Sequence, residues 1–212
     1  GEIDPAPWTE ETLRTGQLLV QAADGHTERT ARLHWELGMA LYDALQVYQM
    51  RGEHEKALKF GEQAIGYLEQ AGDGPASPAT SYLLGRLYFR LGAIHAVRDG
   101  NHRAAITWFD KAMPELAKPM PPSAVGELGR HGETFVSMGV SYWETRQHEK
   151  ALQLTEHGLK LMKQAVQQGL LQESALTVPY NNLSSMHRQM GQEEQAREFE
   201  RLAKQPTDST IR

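Results

Sequence analysis

The sequence predicts an all-α fold: a right-handed α-α superhelix of about four stacked helical hairpins, with one further helix ahead of them. Three observations carry this. A short motif recurs four times along the 212 residues. Strand-forming residues are sparse, while Ala, Leu, Glu, Gln, Arg and Lys abound. Gly- and Pro-rich breakers fall between the copies. The copies run from Gly52 to Leu58, Gly100 to Ile106, Arg146 to Leu152 and Gly191 to Arg197. Their anchor alanines, Ala57, Ala105, Ala151 and Ala196, are 48, 46 and 45 residues apart.

Taken in chain order, residues 1–26 hold the first helix, over 8–23. Its Leu13 and Gly16 echo Leu58 and Gly61 at an offset of 45, so it reads as the second half of an earlier, missing or vestigial hairpin. It is either an N-terminal cap or the start of a fragment cut from a longer array. Four repeats follow, at 27–75, 76–122, 123–170 and 171–205. Their helix pairs are 27–50 with 53–71, 79–98 with 101–117, 123–146 with 148–168, and 173–190 with 192–204. Each first helix carries a large residue sixteen before the anchor (Leu41, Phe89, Phe135, Tyr180) and Tyr48, Ala96, Tyr142 or His187 nine before it. These positions share one helical face. Five before the anchor stands Gly52, Gly100 or Gly191, and Arg146 in the third copy. Glycine there ends the helix cheaply in a left-handed cap. The second helix puts small residues at the anchor and seven after it (Ala64, Ala112, Gly158, Ala203), which lets two backbones approach. Breakers at 71–75 and 118–122 connect the hairpins. Pro114 is expected to kink or end its helix early. Residues 206–212 read as a flexible polar tail.

Four such copies in register resemble the tetratricopeptide repeat family, over roughly residues 27–205. Two departures stand out. The family period is about 34 residues against 45–48 here, and the proline that commonly follows the second helix is missing from its usual place. The long period, with the run from Tyr180 to Leu183 leading to Gly191 and Ala196, is similar to the extended repeats of the kinesin light chain type. The resemblance implies that first helices line a concave wall, and that the chain is a non-enzymatic scaffold taking a peptide or helix of a partner protein.

Groove residues then follow from offsets of 15, 11 and 8 before each anchor. They are Tyr42, Gln46 and Gln49; Arg90, Ile94 and Val97; Val136, Val140 and Trp143; Asn181, Ser185 and Arg188. Trp, Tyr and Arg dominate binding hot spots, and amides can hold a ligand backbone without reading its side chains. The alternative is that Trp143, Val136 and Val140 pack against neighbouring repeats. Family members that clamp chaperone C-termini need Lys and Asn at the first two of these offsets. No repeat here has that pair, so a chaperone-tail adaptor is not expected.

Composition narrows the rest. A net charge of −5 and a pI near 6.0 argue against a nucleic-acid surface. Mean hydropathy is −0.56, and no run approaches the ~20 apolar residues of a membrane span. No signal peptide is visible, so a soluble, cytoplasmic protein is expected, although the opening Gly1 without Met implies that residues ahead of it are lost. The absence of Cys excludes disulfides and thiolate metal sites. His54, His102 and His148 stand three before successive anchors, where the family usually has an aromatic. One ring per repeat is a packing ridge, since zinc ligands must converge within about 2.1 Å of one ion. His187 reads as a core ring with its polar atoms satisfied. Glu–Lys and Glu–Arg spacings on the second helices read as solvated faces. Asn182 opens a glycosylation sequon, but inside a helix of a chain with no secretion signal. No phosphate-binding, nucleophile-elbow, HExxH or calcium-loop motif occurs. The expectation is therefore no enzyme, no cofactor and no metal. The alternatives to groove binding are a self-assembling unit that pairs through the N-terminal helix as a homo-oligomer, and a regulatory or sensor domain of a longer protein.

Overall fold

The structure, a computed structural model, describes residues 6–23, 27–71 and 77–204. Among them are nine α-helices and no strand: α1 Ala6–Ala22, α2 Thr27–Met50, α3 His54–Ala71, α4 Ser77–Asp99, α5 His102–Leu116, α6 Leu128–Glu144, α7 His148–Gln167, α8 Thr177–Gln189 and α9 Glu193–Ala203. The breaker at 72–75 and the tail 206–212 lie outside the described residues.

Two boundaries differ from expectation for identifiable reasons. Pro122–Glu127 and Glu173–Leu176, expected as first turns of α6 and α8, are 3-10 helices. Tight i→i+3 winding is common where a helix starts, and the first of these stretches follows Pro119 and Pro121 in the chain. Pro114 is carried inside α5, which ends two residues later at Leu116. The prolyl ring has no N–H to offer the carbonyl four residues earlier, and the helix runs on for only two residues beyond it.

The helices fall into two compact units: residues 1–94 with 110–121, and residues 95–109 with 122–212. In the first unit α2 and α3 form a hairpin whose core includes Leu41, Leu45, Tyr48, Ala64 and Leu68. Tyr48 stacks on Phe60 at 5.2 Å, with the rings 8° apart. In the second unit α6 pairs with α7 and α8 with α9. Val136, Leu159, Met162, Leu176, Tyr180 and Leu183 form one buried cluster there.

The recurring motif has one local structure. Gly52, Gly100 and Gly191 have φ of 74°, 58° and 75°, and Arg146 adopts the same left-handed conformation at 64°. After α2, Gly52 N–H donates to the Gln49 carbonyl and Glu53 N–H to that of Tyr48. Arg146 and Gln147 repeat this pair of bonds onto Trp143 and Tyr142, and Gly191 and Gln192 repeat it onto Arg188 and His187. This Schellman closure satisfies carbonyls that the helix end would leave bare. The next helix starts at once. Ala57, Ala105, Ala151 and Ala196 each donate N–H to the carbonyl four residues earlier, and all four are 0% exposed. The anchor address is therefore buried in all four copies, while the Schellman pair of closing bonds recurs in three; in the second copy Asn101 N–H reaches the His95 carbonyl instead.

Close helix approach explains the small residues. A Cβ on Gly158 of α7 would fall 2.5 Å from the Gly132 carbonyl oxygen of α6, and one on Gly132 would fall 2.7 Å from the Gly158 carbonyl oxygen. Gly38 of α2 instead makes room for the Leu68 side chain of α3, which a Cβ there would meet at 2.5 Å. The repeat motif marks the small residue on the second helix, whereas its partner glycine on the first lies outside the motif.

Candidate functional site

In the first unit, four of the proposed groove residues converge. Arg90 of α4 donates Nε–H to the Tyr42 hydroxyl at 3.0 Å, Nη1–H to Gln49 Oε1 at 2.8 Å and Nη2–H to Gln46 Oε1 at 2.9 Å. Its guanidinium also lies over the Tyr42 ring, 5.5 Å from the centroid. The three positions chosen by offset on α2 thus bind a single side chain on α4. The planar fork of Arg suits this arrangement, and the point charge of Lys would not. The cost is that Arg90 is largely spent within the chain: it braces α2 against α4. Ile94 is buried and offers no surface, whereas Val97, on the last turn of α4, is 87% exposed.

In the second unit, an open cleft of ≈ 390 Å³ is lined by Val140, Trp143, Glu144, Arg146, His148, Asn182, Ser185, Met186 and Gln189. The α6–α7 turn supplies one wall and α8 the other. Trp143 is the centre of it. Its indole stacks on His148 with centroids 4.2 Å apart and planes 22° apart, and its Nε1–H donates to Gln189 Oε1 at 3.2 Å. A ring held by stacking and by a hydrogen bond presents its area with little entropy left to lose. Around it stand amides and a hydroxyl that can both donate and accept, with one carboxylate and one guanidinium at the rim.

Of the groove residues expected here, Val140, Trp143 and Ser185 line this cleft. Val136 does not: it belongs to the buried cluster between α6, α7 and α8, because Gly158 lets α7 approach so near that the Val136 side chain is enclosed. Asn181 is exposed but its neighbour Asn182 faces the cleft. Arg188 turns to α9 and pairs with Glu200 at 2.7 Å. On α8, Ser185 lines the cleft as expected, Asn182 and Gln189 do so one residue after the expected 181 and 188, and Met186 joins them. Glu144, Arg146 and His148, at the end of α6, in the turn and at the start of α7, also line the cleft; the three offsets, all placed within first helices, do not reach them.

The repeated histidines divide. His102 Nδ1 meets Ser141 Oγ at 3.0 Å, His148 stacks under Trp143, and His54 of α3 lies in the first unit. His187 is buried, hydrogen-bonds Gln192 Oε1 through Nδ1 at 2.5 Å and stacks on Phe199 at 5.4 Å, 10° from parallel. This reproduces Tyr48 on Phe60 at the same two addresses, nine before the anchor and three after it. The Lys before the anchor also has a role the sequence did not disclose. Lys56 lies over the Tyr48 ring at 5.1 Å and Lys150 over the Tyr142 ring at 4.2 Å, so these ammonium groups cap the core aromatics rather than standing only in solvent. No helix among the described residues is long and apolar enough to cross a membrane.

Comparison with known proteins supports the fold. No protein-family model and no curated protein sequence matches the chain. Its structure is similar to that of BtubC (BKLC) from P. vanneervenii, a kinesin light chain-like protein, with a TM-score of 0.61 and 16% identity, over 91% of this chain and 78% of that one. At this identity the likeness speaks to architecture alone, an all-α superhelical repeat scaffold.

Proposed function

We propose that the chain is a non-enzymatic interaction scaffold and that the cleft between the α6–α7 turn and α8 captures a peptide or helical segment of a partner protein. The observation that carries this reading is Trp143, held between His148 and Gln189. Trp is the residue type most enriched among interface hot spots, and those sit where water is excluded around a rigid anchor. The neighbouring Asn182 amide and Ser185 hydroxyl fit the N–H and C=O groups of a guest backbone, while Gln189 is engaged with Trp143 and Ser185. The likeness to BtubC and the tetratricopeptide resemblance support a scaffold rather than an enzyme. Glu144 and Arg146 at the rim favour a guest carrying both signs of charge beside an apolar or aromatic side chain.

The test is selection of binders from a random peptide library displayed against the whole chain. Peptides recovered on the native chain should bind Trp143→Ala and Ser185→Arg at least tenfold more weakly, while both variants keep native helical content. Undiminished binding by both variants would remove the cleft from consideration.

A further inference from the structure

Aromatic rings in this chain are repeatedly covered by a cation of the chain itself. Lys56 lies over Tyr48 and Lys163 over Tyr180, the latter at 5.3 Å. Lys150 lies 4.2 Å from the centroid of Tyr142, the residue just before Trp143. Trp143 differs. Among the described residues no cation lies over its indole, and His148 is the one ring stacked on it. Trp offers the aromatic face that attracts a cation most strongly. This one is only partly buried and lines an open cleft.

The charges around the ring favour the same occupant. Glu144 follows Trp143 as the last residue of α6. It is exposed and has no ion pair among the described residues. A carboxylate at a helix C-terminus faces the negative end of the helix dipole, an unfavourable place for an anion and a favourable one for a cation. Gln189, on the opposite wall, is the last residue of α8, so two helix C-termini meet at the cleft. Opposing them are the start of α7 at His148 and the guanidinium of Arg146 in the turn.

Granted that the cleft captures a guest, as proposed above, we infer that the guest group lying on the free face of Trp143 is a cation. It is the guanidinium of an Arg or the ammonium of a Lys, held between the indole and the Glu144 carboxylate. A cation there completes on Trp143 the arrangement that Lys150 makes on Tyr142. Guanidinium is the better fit, because it stacks flat on an aromatic face while its edge donates two parallel N–H bonds to one carboxylate.

Nα-acetyl-arginine amide is the probe, with the uncharged isostere Nα-acetyl-citrulline amide and the anionic Nα-acetyl-glutamate amide as comparisons. The readout is the Trp143 indole N–H resonance of the isotope-labelled full chain, assigned by its loss in Trp143→Phe. The arginine probe should shift this signal saturably, and the citrulline probe should bind about three- to tenfold more weakly. Glu144→Gln should weaken binding of the arginine probe about two- to fivefold, and Arg146→Gln should strengthen it by about the same factor. Equal affinity for arginine and citrulline, no response of the indole signal, or indifference to Glu144→Gln would overturn the proposal. So would preference for the glutamate probe, which would make the cleft an anion site. If the cation fails in any of these ways while library-selected peptides still lose binding in Trp143→Ala, the cleft stands and only the cation is wrong. If selected peptides also bind Trp143→Ala undiminished, the capture site itself falls.

Discussion

Arg146 holds a conformation that the other three repeats assign to glycine. Its φ of 64° puts Cβ near the following carbonyl, a cost of roughly 1–2 kcal/mol for a residue with a side chain. Arg146→Gly relieves that strain but loosens the unfolded chain, so a net gain of about 0.5–1 kcal/mol is expected, read as a higher urea midpoint at unchanged slope. Arg146 also lines the cleft, so the same substitution should weaken peptide capture. A second residue makes stability depend on pH. The His157 ring meets Phe135 edge-on at 4.6 Å, and partial desolvation there, helped by Lys160, holds its pKa below the usual value of 6.5. The folded state therefore binds this proton less readily than the unfolded state does. The contribution is complete above pH 6.5 and is lost as pH falls below it. Thermal melts between pH 7.5 and 5 should show a smaller drop in Tm for His157→Gln than for the native chain. Tyr88 is a contrasting case: burial and its hydrogen bond to Glu69 at 2.8 Å raise its pKa, so its hydroxyl stays a neutral donor.

At the scale of elements, stability rests on pairs of helices whose backbones touch. Gly132 and Gly158 leave no room for a methyl group on either side. Gly158→Ala should therefore cost about 1–3 kcal/mol in chemical denaturation, although alanine is the better helix former by about 1 kcal/mol. A result near zero or stabilising would mean that α6 and α7 can separate. Arg90 acts between elements too. Arg90→Ala removes three hydrogen bonds and leaves Gln46 and Gln49 without their donor, an expected loss of about 1–3 kcal/mol that Arg90→Lys restores only in part. If Arg90 contacts a ligand rather than bracing α4, stability is unchanged and only binding falls. Helix limits were legible within a few residues because glycines, prolines and the apolar period mark them. The face each helix turns outward was less legible. Val136 faces inward because of Gly158, a residue on another helix and 22 positions away, and a helical wheel of α6 alone contains no trace of it.

Over the whole molecule, the four-fold recurrence of the anchor alanine was the most informative feature of the sequence. It gave the order of hairpins, their turns and the buried stripe, since each of these needs only residues close in the chain. What it did not disclose is the division into two compact units, whose boundary passes through both α4 and α5, nor the turn residues that complete the cleft. Those depend on contacts between segments far apart in sequence. The central proposal is that the cleft around Trp143 receives a guest segment. Photo-crosslinking tests this most directly. A library-selected peptide carrying a photoreactive residue would be irradiated on the native chain and the adducts mapped by mass spectrometry. Adducts at Trp143, Asn182, Ser185 or Gln189, absent from Trp143→Ala, are the predicted result. Adducts that fall elsewhere on the chain, or that persist unchanged in Trp143→Ala, would contradict it.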